Sequence, residues 1–326
     1  MQTATARELV ADLLPTVRAF AIPMPVRFRG TTLREGALLH GPAGWGEFSP
    51  FPEYGPRECA RWLACAVEAA LLGWPAPIRE NVPVNVTVPA VGPEQAHAIV
   101  SGSACRTAKV KVAEPGQPPA DDIARVAAVR EAIGPDGKVR VDANGHWNIG
   151  QAELMLTALE EFDLEYAEQP CATLAELAEL RKRVSAPVAA DESIRRAEDP
   201  LAVRAAGAAD IVVLKAQPLG GVRAALRVAG QCGLPVVVSS AVDTSVGLAA
   251  GVALAAALPS LEYACGLATM SLLAGDVTAN PLTEADGLLP VRSAVVDEAV
   301  LARWEVNPRA WRERIIAAAE FLPERL

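Results

Sequence analysis

The chain has 326 residues, a formal net charge of −9, 51% hydrophobic residues and 21% charged ones. Its acidic balance and scattered Arg and Lys leave no basic footprint for phosphate, which argues against a nucleic-acid partner. Its longest uncharged stretch, Asp243 to Glu262, is broken by Gly247, Gly251 and Pro259 and is rich in Ala, so it reads as a buried helix and not as a membrane span of about 20 strongly apolar residues.

Up to about residue 80, Pro23, Pro25, Gly36, Gly41, Gly46, Pro50 and Pro52 punctuate short β-prone runs, and a Trp- and Ala-rich helix follows at about Arg57 to Leu72. That pattern predicts a small α+β domain. From Pro83 the rhythm changes to short β-rich runs alternating with helical patterns, as in βαβ units. The predicted strands are Val84 to Val88, Ala108 to Val112, Lys138 to Asp142, Leu164 to Glu168, Pro187 to Asp191, Asp210 to Leu214, Pro235 to Ser239 and Glu262 to Cys265. Helices are predicted between them at Asp121 to Ile133, Gly150 to Glu161, Leu174 to Val184, Ala197 to Ala206, Gly221 to Cys232 and Val246 to Leu258, with Gly134, Gly207 and Gly233 as stops. After about Pro290 the rhythm ends, and the tail with Trp304 and Trp311 is expected to return to the first domain.

Charged residues end four of these strands at intervals of 26, 23 and 24 residues: Asp142, Glu168, Asp191 and Lys215. Each interval is one strand, one helix and two loops, so the groups occupy equivalent places in a repeated unit. In a parallel βα barrel those strand ends face one mouth, where reacting groups collect. Asp142, Glu168 and Asp191 would be neighbours on the rim, and three oxygen donors suit a hard cation, Mg²⁺ first and Mn²⁺ as the alternative. Lys109 and Lys111, two apart on a strand, share its inward face; their mutual repulsion is expected to lower the pKa of one and free an amine as a base. Lys215 would lie across the barrel from Lys111. Asn144 and Glu192 are candidates to orient a ligand.

The ordered set Lys109-x-Lys111, Asp142-x-Asn144, Glu168-Gln169-Pro170, Asp191-Glu192-Ser193 and Lys215 resembles the enolase superfamily, in its muconate-lactonising-type subgroup. The resemblance covers essentially the whole chain. It implies an α/β fold: a TIM-like (β/α)7β barrel over residues 81–289, with an α+β capping domain formed by residues 1–80 and completed by the tail, 290–326. The segments Pro23 to Gly30, Gly44 to Phe48, Val82 to Pro89 and Ser239 to Gly247 are similar to the menaquinone-biosynthesis members of that superfamily. That implies a lyase, catalysing Mg²⁺-dependent syn dehydration of a cyclohexadiene carboxylate with a succinyl side chain to o-succinylbenzoate. Lys111 would then take the α-proton and return it to the departing hydroxyl, and Lys215 would be a cationic stabiliser. Racemisation of an N-acylamino acid, or epimerisation of a dipeptide, is the alternative, since lysines on two faces serve either chemistry.

Weaker candidates surround this set. Arg140 shares the inward face of Asp142 and pairs with either a substrate carboxylate or a structural acid. Ser239, Ser240 and Gly266 follow the seventh and eighth strands and offer hydroxyl or backbone groups to a small-molecule carboxylate substrate. His146 is read as a solvated loop residue. Phe28, Phe48, Phe51 and Tyr54 on cap loops are candidate substrate contacts. The six cysteines show no C-x-x-C pairing and the N-terminus lacks signal-peptide regions, which predicts reduced thiols and a cytoplasmic protein.

Overall fold

Alternating buried and open positions draw the N-terminal segment into an antiparallel sheet. In the computed structural model, which describes residues 5–28, 30–196 and 199–324, this sheet comprises β1 (Arg18–Phe28), β2 (Thr31–Gly41) and β3 (Gly44–Phe48), and its far edge is the tail strand Glu305–Val306 paired with β1. Helix Pro56–Leu71 lies directly on β2 and β3 because glycine stands at the crossing points. A Cβ on Gly46 would come within 2.1 Å of the Ala66 carbonyl oxygen, and one on Gly41 within 2.4 Å of that of Ala70. Phe48, Phe51, Tyr54 and Trp62 form the core beneath, closed by Ile315 of the tail helix Arg309–Ala319.

Eight parallel strands build the second sheet: β4 (Asn81–Val88), β5 (Thr107–Lys111), β6 (Lys138–Asp142), β7 (Leu164–Glu168), β8 (Val188–Ala190), β9 (Ile211–Leu214), β10 (Val236–Val238) and β11 (Cys265–Ala268). They pair in chain order from β4 to β10, with β11 on the other side of β4. The ring closes where Ser239 bridges Gly266 and the Ser240 N–H donates to the Gly266 carbonyl at 3.0 Å. Helix starts follow local chemistry: Asn148 with Gln151 and Thr173 with Glu176 form capping boxes. Gly233 ends helix Val222–Cys232 with φ +63°, a left-handed position that costs glycine little. Helix Ser245–Ala257 is buried almost all round, as its lack of charge predicts, and no described helix is long and apolar enough to cross a membrane.

The predicted eighth strand is displaced. It runs over Cys265–Ala268 and not Glu262 to Cys265, because the uncharged run Cys-Gly-Leu-Ala enters the sheet while Tyr263 packs against Tyr166 below it. A short strand, Leu288–Pro290, adds antiparallel to β4 and has no counterpart in the predicted elements. Of the predicted helix Ala197 to Ala206, Ala197 lies outside the described residues and Ala202–Ala205 is helical.

The period of two sorts the strand residues into layers inside the barrel. Tyr166, Ala189, Ile211, Val213 and Val237 make an apolar floor. Two residues beyond Tyr166, Ala189 and Val213, at the C-terminal strand ends, stand the charged Glu168, Asp191 and Lys215.

Candidate active site

Register brings these charges together: Lys111 pairs with Asp142 across β5 and β6, and Asp142 with Glu168 across β6 and β7. Asp142, Glu168 and Asp191 are each 1% exposed. The Lys111 ammonium donates to Asp142 Oδ2 and Asn144 Oδ1, both at 2.6 Å. Lys109 Nζ bridges Asp142 Oδ2 at 3.1 Å and Glu168 Oε1 at 2.9 Å. Lys215, just past β9, donates to Asp191 Oδ2. The acids of β6, β7 and the end of β8 thus stand between an amine on β5 and another after β9.

Supporting groups fix these positions. Asn144 Nδ2 donates to Glu192 Oε1 at 3.0 Å, and Arg195 donates to the same oxygen at 2.6 Å and to Asp191 Oδ1 at 3.2 Å. Arg195 also reaches the cap, donating to the Tyr54 hydroxyl. The Gln169 side-chain Oε1 accepts from the Asp191 and Ser193 N–H groups, which ties the Glu-Gln-Pro and Asp-Glu-Ser segments together. From β1 of the cap, the Phe28 ring sits 5.1 Å from Lys111 Nζ, a cation–π distance.

The electrostatics follow from burial against pairing. Burial raises the Asp142 carboxyl, but Lys111 and Lys109 outweigh it and hold the group well below the usual carboxylate range. Asp191 is likewise lowered, Lys215 and Arg195 overcoming burial. Glu168 goes the other way: burial and the neighbouring Asp142 charge push it up to about 7. Burial, with Arg195 close by, pulls Lys215 below its ordinary value despite Asp191.

Lys109, Lys111, Asp142, Asn144, Asp191 and Lys215 line a narrow pocket of about 30 Å³ with Phe28, Thr87, Ser239, Ser240, Val242, Gly266 and Thr269. A far larger groove, about 1210 Å³, runs between helices Pro56–Leu71 and Val222–Cys232. It assembles no comparable acid and amine set, so the small pocket carries the chemistry.

The description "Enolase C-terminal domain-like" matches residues 93–295, and "Enolase N-terminal domain-like" matches residues 19–70. The chain is 68% identical to the o-succinylbenzoate synthase of Thermobifida fusca over 93% of this chain and 96% of that one. It is 54% identical to that of Mycolicibacterium smegmatis over 94% and 96%. The structure is similar to muconate lactonizing enzyme from Pseudomonas fluorescens complexed with muconolactone, with TM-score 0.78, 23% identity and coverage of 89% and 98%. The chain belongs to the enolase superfamily.

Enolase-superfamily enzymes use a divalent metal, and the residues of this mouth fit one in kind and charge. Three buried carboxylates from adjacent strands are oxygen-only donors. The Lys109 ammonium bridging Asp142 and Glu168 shows that the space between them selects positive charge. Yet among the described residues no three Asp, Glu, His or Cys side chains converge as a metal cluster, because ammonium groups engage their oxygens.

Burial pulls the Lys109 ammonium down, but Glu168 and Asp142 outweigh burial and hold it above its ordinary value. A further expectation is corrected. Arg140 makes no part of the pocket. It is fully buried one layer below the mouth, donating to Glu165 at 2.5 Å, Asn85 at 3.2 Å and the Ala264 carbonyl at 2.7 Å, with its guanidinium 4.7 Å from the Tyr166 ring centroid. Of the cap aromatics, Phe28 alone lines the pocket; Phe48, Phe51 and Tyr54 belong to the cap's own core. His146 stays on an exposed loop, its Nδ1 3.1 Å from the Ala113 carbonyl. Ser239 and Ser240 reach the pocket, with hydroxyls on the Gly266 carbonyl and the Thr269 hydroxyl. Arg195 was missed by sequence reasoning. Its signal is its place four residues after Asp191, one helical turn on.

Proposed function

We propose that this chain is an o-succinylbenzoate synthase, a lyase that removes water from 2-succinyl-6-hydroxy-2,4-cyclohexadiene-1-carboxylate in menaquinone biosynthesis. What carries this reading is the 68% identity over 93% of the chain to an enzyme of that name, with opposed amines flanking three buried acids at one barrel mouth. In this reading Lys111, held by Asn144 and Asp142 and covered by Phe28, takes the proton α to the ring carboxylate as a neutral amine. The electron pair moves into the carboxylate as an enediolate and then expels the hydroxyl, to which Lys111 returns its proton; the product ring is aromatic and water leaves. Lys215 holds positive charge against the developing negative charge from the opposite side. Asp142, Glu168 and Asp191 would hold a divalent cation, for which we propose Mg²⁺, with Mn²⁺ as substitute; when bound it stabilises negative charge on the substrate carboxylate. Lys109 serves the acids and not the substrate: its ammonium offsets Asp142 and Glu168. Ser239, Ser240 and Gly266 are assigned to the succinyl end.

We assign the cap to residues 1–80 with 290–326 and the barrel to 81–289, the cap shielding the mouth and the barrel supplying the chemistry. We place the protein in the cytoplasm, a reading supported by six cysteines that are all free. The test is an assay with the cyclohexadiene substrate, with and without Mg²⁺, following the aromatic product; no product with the metal present overturns the reading. One observation favours a second activity: amines on both faces are what racemisation needs. Solvent deuterium entering both enantiomers of an N-succinyl amino acid would establish it, and no exchange would dismiss it.

A further inference from the structure

Val242 sits in the pocket wall with φ +62°. Six non-glycine residues have positive φ among the described residues, and Val242 is the one with a β-branched side chain, for which this region is strongly disfavoured. Such strain persists only where the surroundings over-determine it, and it collects at ligand clamps. Here the surroundings come from the other domain. Arg34, on β2 of the cap and 2% exposed, donates through Nε to the Val242 carbonyl at 2.9 Å. Its Nη2 donates to the Ser49 carbonyl at 2.6 Å and hydroxyl at 2.9 Å, and lies 3.8 Å from Asp243 Oδ1. The loop is pinned from its own side as well: the Val242 N–H donates to Ser240 Oγ at 3.3 Å, and the Ala241 N–H to Asp243 Oδ2 at 3.2 Å. Gln217, two residues after Lys215, donates to Asp243 Oδ1 at 2.8 Å.

We propose that Arg34 is a positioning residue for the substrate pocket: reaching from the cap, it holds Val242 in its left-handed backbone conformation and so sets the wall formed by Ser240, Ala241 and Val242. The proposal rests on the dehydration reading above and deepens it, making the cap a part of the pocket at a residue that does not touch substrate. The planar fork is what the place requires, since it serves a carbonyl on each domain at once; a lysine keeps the charge beside Asp243 but offers one donor centre.

The test is a cycle of Arg34→Lys, Arg34→Met, Val242→Gly and the double variants in the Mg²⁺-loaded enzyme. Losing Arg34 is expected to raise KM for the cyclohexadiene substrate about tenfold, the scale of one well-placed hydrogen bond, with kcat moved less. In the Val242→Gly background the same loss is expected to shift KM clearly less, because glycine adopts positive φ unaided. Equal KM shifts in both backgrounds, or a loss of thermal stability with KM and kcat unchanged, overturn the proposal. Should Arg34→Met not fold, the Arg34→Lys arm of the cycle decides. A readout independent of the reaction keeps the two readings apart: in a crystal structure of Arg34→Lys, Val242 is expected to leave the left-handed region. Val242 remaining there, with Ser240 and Ala241 in place, overturns the proposal even if the wild-type enzyme turns over no cyclohexadiene.

Discussion

Mouth and floor of this barrel are built from the same strands, one layer apart, and both contain buried charge. At the mouth Lys109, Lys111, Asp142, Asp191 and Lys215 face each other around a pocket, with Glu168 held beside it by Lys109. On the floor Arg140 meets Glu165, Asn85, the Ala264 carbonyl and the faces of Tyr166 and Tyr263. The mouth assembles several acids and amines whose pairings compete, and it opens where loops and cap can admit a ligand. The floor commits one cation, Arg140, to fixed partners, of which Glu165 stays part-exposed. Inward-facing charge alone is therefore no mark of a site; what distinguishes the mouth is unequal pairing at the C-terminal strand ends.

The sharpest way to break that distinction is to exchange the consequences. Lys111→Ala is expected to lower kcat/KM by about 10³-fold, the usual scale for losing a general acid–base group, while thermal unfolding changes little; product formation and a melting curve check both halves. Arg140→Met is expected to do the reverse. It removes one partner of a buried pair, and because Glu165 keeps 18% side-chain exposure the cost is set below the usual range, at about 2–3 kcal/mol of stability. KM of the surviving folded enzyme is expected to stay within about twofold, a change worth under 0.5 kcal/mol. Urea denaturation and steady-state kinetics on one preparation decide it, and a large KM effect would return Arg140 to the substrate site.

Much of this was legible in the sequence, because it depends on period and spacing. The two-residue alternation placed Lys109 and Lys111 on one inward face, and the recurring strand-plus-helix interval placed Asp142, Glu168, Asp191 and Lys215 at one mouth. Depth along the strand was not legible in the same way. Arg140 and Asp142 share a face in any strand, and only the neighbours that Arg140 finds on other strands decide that it belongs to the floor. Contacts between domains were equally hidden, since Arg34 and Val242, or Tyr54 and Arg195, are linked only by tertiary packing. The eighth strand slipped because local β-propensity around Tyr263 suits a residue packed against the sheet as well as one in it.

A third buried cluster sharpens the comparison by offering an acid like Glu168 outside the mouth. Glu47 of β3 is pushed up to about 7 by burial and by the nearby Asp243 charge, against the opposing pull of Arg34, Ser49 and Thr244. Its Oε1 accepts from the Ser49 hydroxyl at 2.6 Å, and its Oε2 from the Thr244 hydroxyl and from the Gly247 N–H at 3.1 Å. The sign of the linkage follows from which state holds the proton more tightly. Between the ordinary value of 4.5 and about 7 the folded chain keeps this proton while the unfolded chain releases it, so stability falls as pH rises through that window and is level above it. Glu168, with its own value near 7, titrates in the same window, so the wild-type curve alone does not separate the two. Glu47→Gln does: the wild-type advantage over this variant is expected to shrink by about 1 kcal/mol across the window, less than an isolated shift of this size implies because Asp243 shares the proton equilibrium. Denaturant midpoints at pH values spanning the window measure it. A constant difference would mean that Glu47 stays ionised throughout, its charge answered by Arg34, and that a raised acid is peculiar to the mouth; a shrinking one makes burial beside a like charge the common cause in both places.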